Sequence, residues 1–499
     1  MNDVDHIKPK GMIIEMKRKL FSVLSVFLLL TVLLSACVTN GGTSNAVSDT
    51  SGSVSSEAST PGDEVSVPEV NMNGQKIRFL VPGDQYLYYE SFDIYAAELN
   101  NEIINDAVFN RNKKIEQQFN CEIIAEKLPD VQSVARERMD AQLDDFDVYM
   151  PYMHSVAPLA AQGYFHDLNS LEYLNLDQDY WDQKLGESLS IDGKLYFSTG
   201  DISMLDNECT MVMFFNKTLI KDNNLDDPYQ LVKDHKWTLD KVYTMSKDFT
   251  KDNGDGVYDE KDTYGLHIAF NAPHSFFFSG GGRITSPNAS GGFDLVMKNN
   301  KNVAYINHIN EITNDPNILT NNTPNCNTFE AICKIFTEGR VIFTTFALVD
   351  MFQFRDSATL NFGILPYPLA DEEQKEYSCL VSTGLVPVVC IPTINKNLDN
   401  TSIIVDALAR ESVNTVTKAY YETLLKKRTL QDNDSQDMLD IIFKSRAYDI
   451  GYVFNWGGIG DLIYTLYGTN KEFVSSYDAI EAKVILAMNE TLEFFDSID

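Results

Sequence analysis

The chain is short of basic residues: 40 Lys and Arg stand against 72 Asp and Glu, for a formal charge of -32 over 499 residues. Phosphate backbones are bound by basic footprints, so a nucleic-acid partner is excluded as an expectation. An acidic surface also keeps an exported protein soluble, so no cationic ligand is inferred from it. Motifs of covalent and metal chemistry are missing too. There is no G-x-x-x-x-G-K phosphate loop, no HExxH and no G-x-S-x-G nucleophile elbow, and the seven His residues form no cluster. Seven cysteines give no CxxC pair. Cys121, Cys209, Cys326, Cys333, Cys379 and Cys390 lie scattered through a large domain, unlike a disulfide framework. Internal repeats are absent, and only one long apolar run occurs.

That run sits near the start. Lys17, Arg18 and Lys19 precede Leu20 to Leu34, which ends in Leu34, Ser35, Ala36 and Cys37. A basic n-region, a short apolar stretch and small residues before a cysteine read as a secretory leader. The run is shorter than the roughly 20 residues that a bilayer span requires. The small residues before Cys37 resemble a bacterial lipobox, in which Cys37 becomes diacylated and heads the mature chain. Met12 and Met16 serve equally well as initiators, so Met1 to Glu15 reads as an extended n-region or an upstream start. From Val38 to about Val70 the chain is Ser, Thr, Gly and other small residues, too poor in apolar surface to offset its ordering entropy, and reads as a tether. More than 400 residues come after it, with 11% aromatics over the chain, enough for two domains.

Strand and helix patterns alternate through the mature chain. Lys76 to Val81 is β-rich; Ile104, Val108, Ile115 and Phe119 recur at helical spacing; Cys121 to Ala125 is the next strand. A polar helix over Val131 to Leu143 leads to the strand Phe146 to Met150, stopped by Pro151. Repeated β, α, β units predict a parallel sheet with right-handed crossovers. Ligands of such sheets sit beyond the strand carboxyl ends, which singles out Tyr86, Tyr88 and Tyr89, then Tyr152 and His154. A second unit begins with the strand Met211 to Phe215 and a helix capped by Thr238. It continues through an acidic turn, the strand Tyr264 to Phe270, an aromatic and Gly-rich loop Asn271 to Gly282, the helix Phe329 to Phe336 and the strand Arg340 to Thr345. Asn361 to Pro366 and Leu385 to Ile391 read as returning strands. The last 100 residues are mostly helical, closing with Ile480, Val484, Met488, Leu492 and Phe495 on one face.

The order of these motifs carries a resemblance. The lipobox and tether come first, then Phe214, Phe215, Asn216, Lys217 before Lys236 to Asp240, then Thr337 to Phe343, then Phe362 to Pro368. Together they resemble the extracellular solute-binding proteins (family 1, maltose-binding-protein-like) of carbohydrate ABC importers, from about Gln75 to Phe495. Ile104 to Phe109 with Arg111 and Asn112, and Met438 to Asp449 leading to Trp456, are similar to large lipoprotein members of that family. The resemblance implies an α/β, two-lobed periplasmic-binding-protein-like fold (type II), with discontinuous lobes, a hinge and an interlobe cleft. On that basis residues 1–36 are the leader, 37–72 the lipid anchor and tether, 73–205 plus 345–397 lobe 1, and 206–344 plus 398–499 lobe 2, with crossings near Asp206, Thr344 and Asn397. It further implies a monomer, held to the extracellular face of the membrane by lipid, that captures a sugar or oligosaccharide and delivers it to permease subunits without enzymatic chemistry.

Sugar recognition requires flat aromatic faces for the apolar side of the ring, with amides or carboxylates for its hydroxyls. By analogy with the family, the candidates are Tyr88, Tyr152, His154, Glu208 at the first crossing, His274, Phe276 and Phe277 in the lobe 2 loop, and Asn455 with Trp456 beside two glycines. Trp181 and Trp237 are assigned to packing. Asp252, Asn253, Asp255, Asp259 and Asp262 form a calcium-loop-like turn, but Lys251 occupies the place of the first acidic ligand. Two other functions stay open. A secreted carbohydrate-active hydrolase needs two carboxylates at a set separation, which 72 acids do not exclude. A ligand sensor for a membrane kinase would share the same fold.

Overall fold

A computed structural model describes residues 68–83, 89–269, 271–355, 357–425, 432–469 and 471–498. The leader, Cys37, most of the tether and Tyr88 lie outside the described residues.

The first sheet is built as the alternation predicts. β1 (Gln75–Pro82) is followed by α1 (Ile103–Phe119), β2 (Cys121–Leu128), α2 (Val131–Asp140), β3 (Val148–Tyr149) and α3 (Met153–Ala160). The strands are parallel in the order β2-β1-β3. Side chains of a strand alternate between faces. Ile77, Phe79 and Val81 accordingly enter one buried cluster with Ile115, Phe119 and Ile123, whereas Leu80 enters another with Met153 and Val156. Bridges from Tyr149 to Cys390 and from Ser198 to Val389 widen this sheet with antiparallel neighbours. Helix α1 also buries Arg111, whose guanidinium donates to the carbonyls of Asp93 and Ile94 and to Asn112 Oδ1 and Ser412 Oγ. A buried cation with that many acceptors fixes the loop after β1 onto α1.

Past α4 (Gln183–Leu189), the chain leaves this lobe through the short α5 (Leu205–Glu208). It enters a five-stranded sheet made of β4 (Met211–Asn216), β5 (Tyr264–Ile268), β6 (Leu319–Thr320), β7 (Val341–Ala347) and β8 (Phe362–Leu365). The order is β8-β4-β7-β5-β6, with β4 antiparallel to both neighbours and β7, β5 and β6 mutually parallel. Helix α6 (Leu239–Ser246) starts where expected, Thr238 Oγ1 accepting the Lys241 N–H at 3.2 Å. The segment expected as a loop, Asn271 to Gly282, is instead helix α7 (Ala272–Ser279), every residue of which is buried. It packs on β9 (Cys379–Leu380), the strand that leads back to the first lobe. Helix α8 (Phe329–Thr337) is capped by Thr328 and packs against β7.

The lobe boundaries differ from the expected ones. Pairing of β8 with β4 keeps 362–365 in the second lobe, so the return occurs at Val381, which bridges Thr210, rather than at Thr344. Ser382 N–H donates to the Cys209 carbonyl at 2.9 Å, so the outgoing and returning segments run side by side. Next, α9 (Leu398–Ser412) and α10 (Val416–Leu425) pack on α1, placing both in the first lobe instead of the second. The third passage therefore comes after α10 rather than at Asn397. The second lobe is completed by α11 (Asn433–Lys444) against β8, β10 (Arg446–Ala447) against β9, α12 (Ile450–Phe454), α13 (Leu462–Leu466) against α7, and α14 (Glu481–Ser497). The six cysteines from Cys121 to Cys390 are free and buried.

Candidate functional site

The loops at the carboxyl ends of parallel strands turn the chain away from the sheet and leave their backbone and side chains open to a ligand. At this end of the second lobe lies a cavity of about 790 Å³. The tail of β5 contributes His267 and Ala269, and the start of α7 contributes Asn271. The loop after β6 brings Asn321, Asn322 and Asn327, leading to Phe329 and Glu330 of α8. The end of β7 supplies Phe346, Ala347, Asp350 and Gln353; Tyr464 and Tyr467, in and beside α13, close one side. From the first lobe comes Tyr89, in the loop after β1, and from the returning segment Leu385. The cavity thus lies at the lobe junction, with amides and aromatic rings as its main lining.

Its polar groups are held in place. Asp350 accepts the Ala347 N–H at 2.9 Å and the Tyr89 hydroxyl at 3.2 Å, tying the two lobes across the floor. Burial pushes the Asp350 carboxyl up to about 7, against the two hydrogen bonds that favour its ionised form. His267 shares a hydrogen bond of 2.8 Å between Nδ1 and Thr344 Oγ1, while its buried Nε2 has no hydrogen-bond partner among the described residues. Burial drops this imidazole to about 3, so it stays neutral. Tyr467 donates its hydroxyl to the Ile268 carbonyl, and the Tyr464 ring is 47% exposed.

The expected site residues distribute unevenly around this cavity. Tyr152 comes directly after β3 as expected, but it is buried and supports the site from behind, its hydroxyl donating to the Tyr89 carbonyl at 3.4 Å. Its ring stacks on His154, whose Nε2 meets Ser155 Oγ at 3.0 Å. Neither side chain lines the cavity. Glu208 is buried behind the floor beside Asp93 and Asp350; burial raises its carboxyl well above the usual range, and its Oε2 lacks a hydrogen-bond partner among the described residues.

Five expected site residues lie away from this cavity. His274 is a core residue: its Nε2 lies 2.8 Å from the Gly460 carbonyl, its ring packs on Tyr452, and burial lowers it to about 4. Phe276 and Phe277 are fully buried, because the aromatic run forms α7 between β9 and α13 and has no open face. Trp456 is 3% exposed, donates Nε1–H to Thr491 Oγ1 at 2.9 Å and packs on Phe454 and Phe293. The glycines beside it do not open its surroundings. A Cβ on Gly457 would meet the Val484 backbone at 2.7 Å, so that glycine, at φ +61, admits the close approach of α14. Asn455 is the left-handed cap of α12, bonded through its amide to Asp461. Asn455 and Trp456 border a shallow hollow against α14, away from the cleft.

The acids of the calcium-like turn are used as turn caps. Asp252, Asn253 and Asp255 each accept the N–H two residues on, Asp259 accepts that of Lys261, and Asp262 accepts those of Asn253 and Asp259. Among the described residues no three His, Cys, Asp or Glu side chains converge on a point that could hold a metal ion. Lys251 stands at the place of the first acidic ligand.

No family model matches the chain. No curated protein matches it in sequence. Solved structures do match in shape. A cyclo/maltodextrin-binding protein complexed with maltotetraose has a TM-score of 0.55 at 11% identity, covering 84% of this chain and 97% of its own. The maltose-binding periplasmic protein of Listeria monocytogenes, in complex with maltose, gives 0.53 at 15% identity, covering 82% and 97%. An ABC substrate-binding protein of Listeria monocytogenes in complex with cycloalternan gives 0.53 at 12%, covering 83% and 99%. The chain has the two-lobed, type II periplasmic-binding-protein fold of these proteins.

Proposed function

We propose that this chain is a carbohydrate-capturing solute-binding protein: it holds a sugar or oligosaccharide at the lobe junction and delivers it to the permease of an ABC importer. The observation that carries the reading is the lining of the cleft. Asn271, Asn321, Asn322, Asn327 and Gln353 offer paired donors and acceptors to vicinal hydroxyls, and Tyr464, Tyr89 and Phe346 offer ring faces. A volume of about 790 Å³ admits a short saccharide. The three similar structures each hold a saccharide, which supports the same ligand class here. Capture by such a fold works through lobe closure, a shift of a two-state equilibrium, and involves no bond-making on the solute. On this reading the chain is not an enzyme, acts as a monomer, and is exported and anchored through Cys37.

A thermal-shift screen of the mature chain tests the proposal, since a ligand bound only by the folded state raises Tm. Maltose, maltotetraose and cycloalternan head the panel. At least one saccharide is expected to raise Tm and to be recovered intact after incubation. A panel without any shift, or a saccharide returned hydrolysed, overturns it.

A further inference from the structure

A second cavity, of about 760 Å³, lies at the opposite end of α7. The cleft touches Asn271, at the start of that helix; the second cavity touches Gly281 and Arg283, just past its end. Eight helical residues separate the two by about 12 Å of buried structure.

Its charge is the reverse of the molecule's. Six Lys and Arg line it against Glu187 and Glu376, in a chain where acids outnumber bases 72 to 40. Among the described residues four of these cations, Lys184, Lys375, Lys444 and Arg283, form no ion pair with a carboxylate, although Lys375 Nζ donates to the Glu372 carbonyl at 3.1 Å. Arg283 is fixed in place instead by backbone, its Nη1 donating to the carbonyls of Phe278 at 3.2 Å and Gly282 at 2.6 Å, at the carbonyl-bearing end of α7. Its Nη2 reaches Ser378 Oγ, a further hydroxyl in the lining. Unpaired cations converging on one concavity repel each other, and their field is relieved by an anion. An adjoining groove of about 490 Å³ shares Glu187, Gly281 and Arg283 with the cavity and adds Lys301 together with the buried acid Asp449.

We propose that this second cavity binds a multivalent oxyanion, a small molecule bearing phosphate, sulfate or several carboxylates. Lys184, on α4, grips it from the first lobe; Arg283, Lys375 and Lys444 grip it from the second. Because the grips belong to both lobes, motion of one lobe against the other alters the site, and the anion and the cleft ligand change each other's affinity by the same factor.

The test is calorimetric titration of the mature chain with inorganic pyrophosphate at low ionic strength, using matched chloride as control. Single-site binding is expected, weakened at least roughly tenfold in a Lys184→Gln, Lys444→Gln double variant, a loss typical of removing charge-assisted contacts. Both lysines are exposed, so the fold survives their replacement, as circular dichroism would verify. The cleft variant Tyr464→Ala is expected to bind pyrophosphate as the parent does. No saturable binding up to about 10 mM, which is an affinity too weak to matter for a specific site, overturns the proposal. So does binding that the double variant leaves unchanged, or that Tyr464→Ala removes. Vesicles containing phosphatidylglycerol separate the sources of the anion: capture of vesicles without pyrophosphate binding overturns the small-molecule assignment.

Discussion

The two ends of α7 carry opposite chemistries. At its start the lining is amide and aromatic, with His267 neutral and Asp350 engaged by Tyr89 and backbone. Past its end the lining is cationic, and among the described residues Lys184, Lys375 and Lys444 have no carboxylate ion pair there. Between them the helix is buried throughout. Polar contact with a ligand therefore comes from the loops at either end, while the aromatic run His274 to Phe278 forms the wall that keeps the two apart.

The largest effect that could break this comparison comes from the wall and the core. Phe277→Ala and Trp456→Ala are each expected to destabilise the fold by about 3–5 kcal/mol, the cost of emptying a buried aromatic site, as read from chemical denaturation. Loss of saccharide affinity at unchanged stability in either variant would place that residue in a binding site and undo the division. A smaller effect concerns the cleft floor. The Asp350 carboxyl titrates near 7 in the fold against an ordinary value of 3.8, so the folded state binds more protons between those values. The contribution of this group to stability is then greatest below about 4, falls as pH rises towards 7 and levels off above, because the slope tracks the difference in bound protons. Asp350→Asn is expected to flatten part of that fall and to raise stability at pH 8 by about 1 kcal/mol. An unchanged pH profile of Tm would show that Asp350 ionises freely in the cleft.

Much of the architecture is legible in the sequence because its signals are local. A β-rich run marks β1, a continuous apolar run marks β4, helical spacing marks α1, and Thr238 marks the start of α6. The lobe boundaries are not legible in this way, since they depend on which strand pairs with which: nothing near Phe362 announces that it will lie antiparallel to Asn216. The same limit governs the site. Phe276 and Trp456 look alike as free rings or as core until their partners Tyr367 and Thr491 are placed, from far along the chain. The cleft amides are inconspicuous as single polar residues in loops. One signal could have found them: Asn321, Asn322, Asn325 and Asn327 crowd the loop directly after the short strand β6, where a parallel sheet exposes its ligands.

Tyr464 gives the most direct test of where the solute is held. Its ring lines the cleft and is 47% exposed, so truncation removes a stacking face without opening the core. The measurement is a calorimetric titration of the parent and Tyr464→Ala with whichever saccharide raises Tm, alongside the unliganded Tm of both. The account predicts an affinity at least roughly tenfold weaker in Tyr464→Ala, the scale of a lost stacking contact, with the unliganded Tm unchanged. Parental affinity in Tyr464→Ala would contradict it and put the saccharide elsewhere than the cleft at the start of α7.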